Sequence, residues 1–243
     1  MKTTKISNKD FRRIEMRNMI LCPICNQPIR FGSIICDSCK AQLDSECFDT
    51  FMVRCPVCLY PKINEDYECE RCALQQNYKV FSVARYDGKL SYSVLDSFKF
   101  NGHKEMAAVI ALYIKRAISV LDPLSEALIV PVPCSETRYE RFGWDQMVEV
   151  CKALKRPHLQ LILNSDSKLK QQKLLNRAQR TESSTGKFVI NEEYESELDK
   201  KSGIKIIVID DIVTTMSTMN SAISLLKSNG FNDVCGASWL CEL

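Results

Sequence analysis

Asp210 and Asp211 lie side by side in the run Val208-Ile-Asp-Asp-Ile-Val-Thr-Thr-Met-Ser-Thr218, and four hydroxyls (Thr214, Thr215, Ser217, Thr218) follow within eight residues of Asp210. Adjacent carboxylates can accept hydrogen bonds from the vicinal hydroxyls of a pentose, or hold a hydrated magnesium ion. A hydroxyl-rich turn that opens a helix offers unpaired N–H groups and the positive end of the helix dipole, which together suit a phosphate. A sugar phosphate is the ligand that would use both halves. The bland alternative is an ordinary strand–loop–helix of an α/β protein.

The flanking residues supply the elements that such a site needs. Ile204–Ile209 is a short apolar run rich in Ile and Val, the mark of a strand covered on both faces, with the acids at its carboxyl end. A helical pattern follows, with Ala222, Ile223, Leu225 and Leu226 apolar, and stops at Asn229-Gly230. Ligands of parallel α/β sheets bind outside the carboxyl ends of the strands. Upstream, Tyr78–Tyr86 and Ala127–Val132 read as strands, Leu90–Phe100 and Lys104–Leu121 as helices, and Arg141–Leu154 as a helix ending before Pro157. Phe188–Ile190 and Val234–Leu240 are the last strands. This alternation predicts a mainly parallel sheet with helices on both faces.

Cysteine carries the second chemistry. Cys22-Pro-Ile-Cys25 and Cys36-Asp-Ser-Cys39 are separated by ten residues, and Cys55-Pro-Val-Cys58 and Cys69-Glu-Arg-Cys72 repeat that spacing 33 residues on. A CxxC turn points two thiolates at one ion, and two such turns complete a tetrahedral S4 shell that suits zinc. With no open coordination position the two expected zinc ions are structural, each contributing an apparent ~10–16 kcal/mol. Pairing within each repeat is simplest; an interleaved cross-brace is the alternative. Redox pairs would not come in duplicate with matched gaps. The remaining cysteines, Cys47, Cys134, Cys151, Cys235 and Cys241, read as small buried hydrophobes.

Composition narrows the classes. With 45% apolar and 26% charged residues the chain is globular, and its formal net charge of +3 is too small to announce a nucleic-acid binder. No apolar run approaches the ~18 residues of a membrane span, and no signal-peptide core follows the basic arm Lys2–Arg17. A cytoplasmic protein is the expectation. Three segments follow: a basic arm at 1–20, a zinc module at 21–76 and an α/β domain at 77–243. The zinc module has no basic face, because residues 1–76 hold eleven Lys/Arg against ten Asp/Glu. Charge concentrates instead between Arg138 and Lys187, where eleven Lys/Arg oppose five acids. That excess suits a pyrophosphate or a nucleic-acid backbone. Within it the polar stretch Asn164–Lys187 reads as a lid.

The acid pair and turn resemble the phosphoribosyl-pyrophosphate (PRPP) loop of type I phosphoribosyltransferases, although that family carries Gly where this chain has Met216. With the whole chain in view, the likeness narrows to the ComF (ComFC-like) competence family. It rests on the cysteine pairs, on Tyr86-Asp-Gly88 with Phe98-Lys-Phe100-Asn-Gly102, and on Val130-Pro-Val-Pro133 followed by Arg138 and Arg141. It rests also on Gln172-x-x-Leu175-x-Arg177-x-x-Arg180 with Gly186-x-Phe188, and on the acid loop itself. The segment Arg141-Phe-Gly-Trp-Asp-Gln146 matches the family's Arg-Gly-Phe-Asn-Gln only in part.

The resemblance implies a type I phosphoribosyltransferase-like sheet behind a zinc module. It implies that Asp210 and Asp211 hold ribose hydroxyls and that Thr214, Thr215, Met216, Ser217 and Thr218 cradle the 5-phosphate. The turn after Val132 would approach pyrophosphate, and Arg177 and Arg180 would close over the site. Mg²⁺ and PRPP are the implied ligands besides zinc; single-stranded DNA and DNA-uptake or helicase proteins are the implied partners. Two functional classes stay open: an accessory factor of DNA uptake that binds PRPP and single-stranded DNA, and a Mg²⁺-dependent phosphoribosyltransferase acting on a nitrogenous acceptor. No general base stands beside the loop, since a threonine hydroxyl at Thr214 is a poor base at neutral pH. His103 and His158 have no placed partner in the sequence.

Overall fold

The computed structural model describes residues 20–49, 52–62, 64–65, 68–73, 78–165, 186–194 and 203–242. They belong to two compact units, Met1–Ser45 and Glu46–Leu243. The first unit holds the first cysteine repeat and the helix α1 (Asp37–Ser45). The second holds the other repeat with the short helix α2 (Glu70–Ala73), then β1 (Val80–Arg85), α3 (Lys89–Phe100), α4 (Met106–Leu121), β2 (Leu128–Pro131), α5 (Glu136–Phe142), α6 (Gln146–Leu154), β3 (Ile162–Asn164), β4 (Phe188–Ile190), β5 (Lys205–Val213), α7 (Ser217–Ser228) and β6 (Asp233–Cys241). The basic arm, most of the expected lid, and Arg177 and Arg180 lie outside the described residues.

The main sheet is α/β in class and wholly parallel, in the order β1-β6-β5-β2. β5 is central and reads Ile-Ile-Val-Ile at its fully buried positions 206–209, as a strand covered on both faces must. Two residues of β6, three positions apart, mark the two faces. Trp239 stacks on Tyr113 of α4 with ring centroids 5.6 Å apart, while Gly236 packs against Met219 of α7, so close that a Cβ there would lie 2.8 Å from its sulfur. α4 and α6 therefore cover one face and α7 the other. β3 and β4 form a separate antiparallel pair, and Ile162 and Phe188 from that pair complete the apolar layer with α7.

This topology creates the crevice. β2 pairs with β5 only as far as Pro131↔Ile209, whereas β6 follows β5 to Val213↔Cys241. The chain leaving β2 turns toward α6 on one face, and the chain leaving β5 turns into α7 on the other. Beyond Ile209 the strand has an open side at a point where the connections diverge, the usual place for a ligand in an open α/β sheet. The expected strand Ile204–Ile209 thus runs four residues further, and the acid pair belongs to the strand itself.

The expected single helix Arg141–Leu154 is two helices. Gly143 takes a left-handed conformation (φ 74°) that caps α5, and Asp145 starts α6 by accepting hydrogen bonds from the Met147 and Val148 amides at 2.9 and 3.1 Å. A second cap fixes α3. Glu46 accepts the Leu90 and Ser91 amides, each at 2.8 Å, and the Ser91 hydroxyl also donates to it. Gly88 has no side chain because that carboxylate is there: a Cβ would lie 2.5 Å from Glu46 Oε2. Gly88→Ala is accordingly expected to cost about 1–3 kcal/mol, read as a lower urea midpoint with an unchanged m-value. An unchanged midpoint would show that Glu46 is not the cap in solution.

Candidate functional site

The two cysteine repeats superpose residue by residue in their hydrogen bonds. Cys22 donates its amide to Gln27 O and Asn26 to Cys22 O; 33 residues on, Cys55 donates to Tyr60 O and Leu59 to Cys55 O, all at 2.8–2.9 Å. Asn26 and Leu59 share a left-handed conformation (φ 59° and 65°). The second CxxC of each set closes with a helical turn, Lys40 N–H to Cys36 O and Ala73 N–H to Cys69 O. Such turns aim the thiols inward. Cys22, Cys25, Cys36 and Cys39 bring their sulfurs within 4.8 Å of one another, as do Cys55, Cys58, Cys69 and Cys72.

A tetrahedral zinc thiolate with Zn–S of ~2.3 Å sets its sulfurs about 3.8 Å apart; Cys25–Cys36, Cys55–Cys72 and Cys58–Cys69 stand at 3.5, 3.6 and 3.4 Å. The donor sets fit zinc, and pairing is within each repeat, so the cross-brace is not adopted. Burial pushes the Cys22 and Cys55 thiols up, but N–H groups of the CxxC turns outweigh it and bring both down to about 7, where a thiolate ligand forms readily. Of the other five cysteines, Cys134, Cys151, Cys235 and Cys241 are buried.

The second repeat is tied to the sheet. Val80 of β1 donates to Cys58 O at 3.1 Å. Arg54 donates to Leu59 O and Ser82 O, each at 3.0 Å, and its guanidinium lies 4.0 Å from the Phe81 ring centroid.

At the carboxyl end of β5 a cleft of about 340 Å³ opens, lined by Asp210, Asp211, Thr214 and Thr218 on one side and by Val132 to Ser135, Arg138, Asn164 and Lys187 on the other. That volume lies in the ~300–1,000 Å³ range of ligand pockets. The turn after β5 encloses a further 40 Å³, lined by Asp210 and by Thr214, Thr215, Met216, Ser217 and Thr218. Met216 turns its side chain into the apolar layer under α7 and is 2% exposed. Its backbone is left-handed (φ 63°), the conformation a glycine adopts freely.

Both acids border the cleft, and their carboxyls are close enough to interact directly. Asp210 borders the hydroxyl turn. Asp211 is buried and takes an ion pair from Lys99 at 2.6 Å. Burial and then the neighbouring Asp211 push the Asp210 carboxyl up to about 7, with Lys99 opposing. The site therefore carries a carboxyl that would gain from a cation or a hydroxyl donor.

Two comparisons place the chain. It is 26% identical over 159 residues to the "Competence protein ComFC" of Bacillus subtilis, covering 65% of this chain and 60% of that one. It is 27% identical over 230 residues to the Streptococcus pneumoniae protein of the same name, covering 88% of this chain and 96% of that one. The chain is similar to two ComFC competence proteins. No family model matches it, and the alignment spans less than two thirds of the Bacillus ComFC protein.

Among the described residues, parts of several segments that carry the ComFC likeness line the cleft: Lys99, Val132 and Pro133 with Arg138, Gln146, Lys187 and the acid loop. Lys99, from Phe98-Lys-Phe100, was not singled out by its sequence; it reaches Asp211 from the end of α3. Gln146 is buried and donates to Phe98 O and Lys99 O at 2.9 and 3.2 Å, fixing that helix end. Asp145 accepts the Cys134 amide at 2.8 Å, and Asn164 donates to Cys134 O at 2.6 Å, so the turn after Val132 is held from two sides. Lys187 reaches the Thr218 hydroxyl at 2.5 Å.

Proposed function

We propose that the cleft binds ribose 5-phosphate units, with PRPP its fullest occupant, and that the protein works in DNA uptake during transformation as the name of its ComFC relatives suggests. The 5-phosphate would lie in the Thr214–Thr218 turn, the ribose hydroxyls on Asp210 and Asp211, and the pyrophosphate toward the turn after Val132 and Arg138. Arg177 and Arg180 would close over it.

One observation carries the reading. Lys187 holds its ammonium on Thr218, in the first turn of α7. The Asp210 carboxyl borders the same turn, and a phosphate seated there would accept from Lys187 and from the N–H groups that open the helix. Mg²⁺ would be held by the acid pair and would neutralise the departing pyrophosphate. Single-stranded DNA, a chain of pentose phosphates, and proteins of DNA uptake are the partners that follow. Turnover as a phosphoribosyltransferase on a nitrogenous acceptor is the second reading, favoured by the intact acid pair.

PRPP with Mg²⁺ at roughly 100 times its Kd is expected to stabilise the protein by about 2.7 kcal/mol, a rise of roughly 5–10 °C in Tm for a unit of this size. Asp210→Asn should remove most of that rise. A wild-type protein whose Tm is indifferent to PRPP would overturn the assignment. Pyrophosphate release on adding candidate acceptors separates the two readings.

A further inference from the structure

The two cysteine repeats share their hydrogen bonds but not what surrounds the sulfurs. Counted 33 residues apart, Arg54 and Arg71 of the second repeat stand where the first has Leu21 and Ser38, and Tyr60 stands where it has Gln27. Arg71 is 6% exposed, and both terminal nitrogens of its guanidinium are buried without a hydrogen-bond partner. That guanidinium lies 4.1 Å from the Tyr60 ring centroid, and Tyr60 packs against Cys55, Cys58 and Cys69. A buried cation without an anion is strongly unfavourable. Four thiolates around one Zn²⁺ carry a net charge of about −2, which Arg54 and Arg71 together balance.

The first repeat has no such balance. Arg30 and Lys40 are the cations between residues 20 and 45, and they are taken by Asp37 at 3.3 Å and Asp44 at 2.7 Å. Leu21 and Ser38, at the places of the two arginines, are exposed. Cys25 is exposed as well, whereas no ligand of the second set is: Cys55, Cys58 and Cys69 are buried and Cys72 half-buried. Zinc, when bound, holds all eight sulfurs as thiolates, so access and residual charge decide which of them reacts. A thiolate stabilised by a neighbouring cation is the weaker nucleophile.

We propose that the first cysteine cluster is a site of oxidative modification by hydrogen peroxide, that Cys25 is the sulfur attacked, and that Arg54 and Arg71 shield the second cluster from the same reaction. The Cys25 thiolate displaces hydroxide from peroxide, forming an S–O bond as the O–O bond breaks. Cys36, whose sulfur is 3.5 Å away, then attacks the sulfenic sulfur; the S–S bond forms and the S–O bond breaks. Each hydroxide released takes a proton from solvent, so two sulfurs give up two electrons and one peroxide becomes two waters. The cluster, with half its ligands oxidised, no longer holds Zn²⁺, whose oxidation state does not change. The unit Met1–Ser45 then loses the ion that folds it, while the Val80–Cys58 and Arg54–Ser82 hydrogen bonds keep the second repeat on β1. The inference rests on zinc occupancy and is independent of the sugar-phosphate reading.

The test uses the full-length protein, its two zinc ions per chain first established by elemental analysis, treated with hydrogen peroxide beside a chromogenic zinc chelator and compared with a peroxide-free control. Zinc is expected to leave in two equal phases, the first at least about tenfold faster than the second. Alkylation of the remaining thiols and peptide mass mapping should place the fast-phase disulfide at Cys25–Cys36, with amide exchange along β1 still unchanged. Arg71→Met should speed the slow phase and leave the fast one as it was; should that variant not fold, the wild-type rates decide. Equal rates for the two ions, or fast-phase oxidation in the second repeat, overturn the proposal. A slow phase no faster in Arg71→Met than in the wild type overturns the shield. A chain that binds no zinc overturns the metal reading beneath it, a result that no oxidation rate can mimic.

Discussion

Chelation of zinc is expected to melt both cysteine repeats and, through the second, to loosen the β1 edge of the sheet. Each S4 site contributes an apparent ~10–16 kcal/mol, more than a short segment with few buried side chains can replace. The buried apolar set around the second site is Cys55, Cys58 and Cys69, with Tyr60 and Cys72 packed against it. Without the ion, four thiols whose sulfurs crowd within 4.8 Å have no common partner. The damage should then spread along the Val80–Cys58 and Arg54–Ser82 hydrogen bonds. Cys58→Ser should therefore lower the Tm of the sheet-bearing unit by more than about 10 °C and raise amide exchange along β1. Because the ligands must be deprotonated, zinc should leave more readily as pH falls. Two zinc ions per chain by elemental analysis is the companion expectation. A protein that purifies without metal and keeps β1 protected would refute the structural role.

The repeat could be read from the sequence because its information is local: a 33-residue register that returns CPxC, then CxxC, dictates two copies of one turn. The central strand was legible for the same reason, since Ile206 to Ile209 are apolar without interruption. Its true end at Val213 was not, because pairing with β6 continues across two charged residues that by composition end a strand. The break between α5 and α6 is hidden in the sequence because the apolar periodicity runs through it. Its signals are Gly143 and Asp145, a C-cap glycine and an N-cap acid two residues apart. Met216 stands where a glycine would be at ease. The fold answers by holding a methionine at φ 63° with its side chain anchored in the core, so packing supplies what the residue's own preference does not.

What the sequence hid about the site is long-range. Asp210 and Asp211 share the cleft, but their partners differ: Asp210 also borders the hydroxyl turn, and Asp211 takes the ion pair from Lys99. No spacing rule links Lys99 to Asp211. The connection depends on where α3 ends, which depends on Glu46 at its start and on Gln146 at its finish. Among the described residues, Lys99, Gln146, the turn after Val132 and the acid loop, all from motifs that carry the ComFC likeness, hold or line the cleft.

Replacing Lys99 isolates this arrangement. Lys99→Met leaves Asp211, 4% exposed at its side chain, as a buried charge with Asp210 next to it. Breaking a buried pair from one side costs about 3–5 kcal/mol, and here the cost should depend on pH in a definite direction. Burial and Asp211 already raise the Asp210 carboxyl to about 7, and Lys99 is the group that restrains the rise. A carboxyl whose folded-state pKa is raised binds its proton more tightly when folded. Stability is therefore unharmed below the unfolded value near 4, declines as pH climbs, and reaches its lowest above the folded value. In the wild type that decline spans about pH 4 to 7; in Lys99→Met it should deepen and extend above pH 7. Urea midpoints measured from pH 4 to 9 check this, and a variant whose loss is the same at every pH would show that Lys99 serves only as packing. Lys99→Met/Asp211→Leu removes both charges together and should recover most of the stability at pH 8, while the cleft, stripped of one acid, should no longer respond to PRPP. Stability regained and ligand response lost in one protein would separate the two things this ion pair does: it keeps a costly carboxylate folded, and it keeps that carboxylate in the cleft.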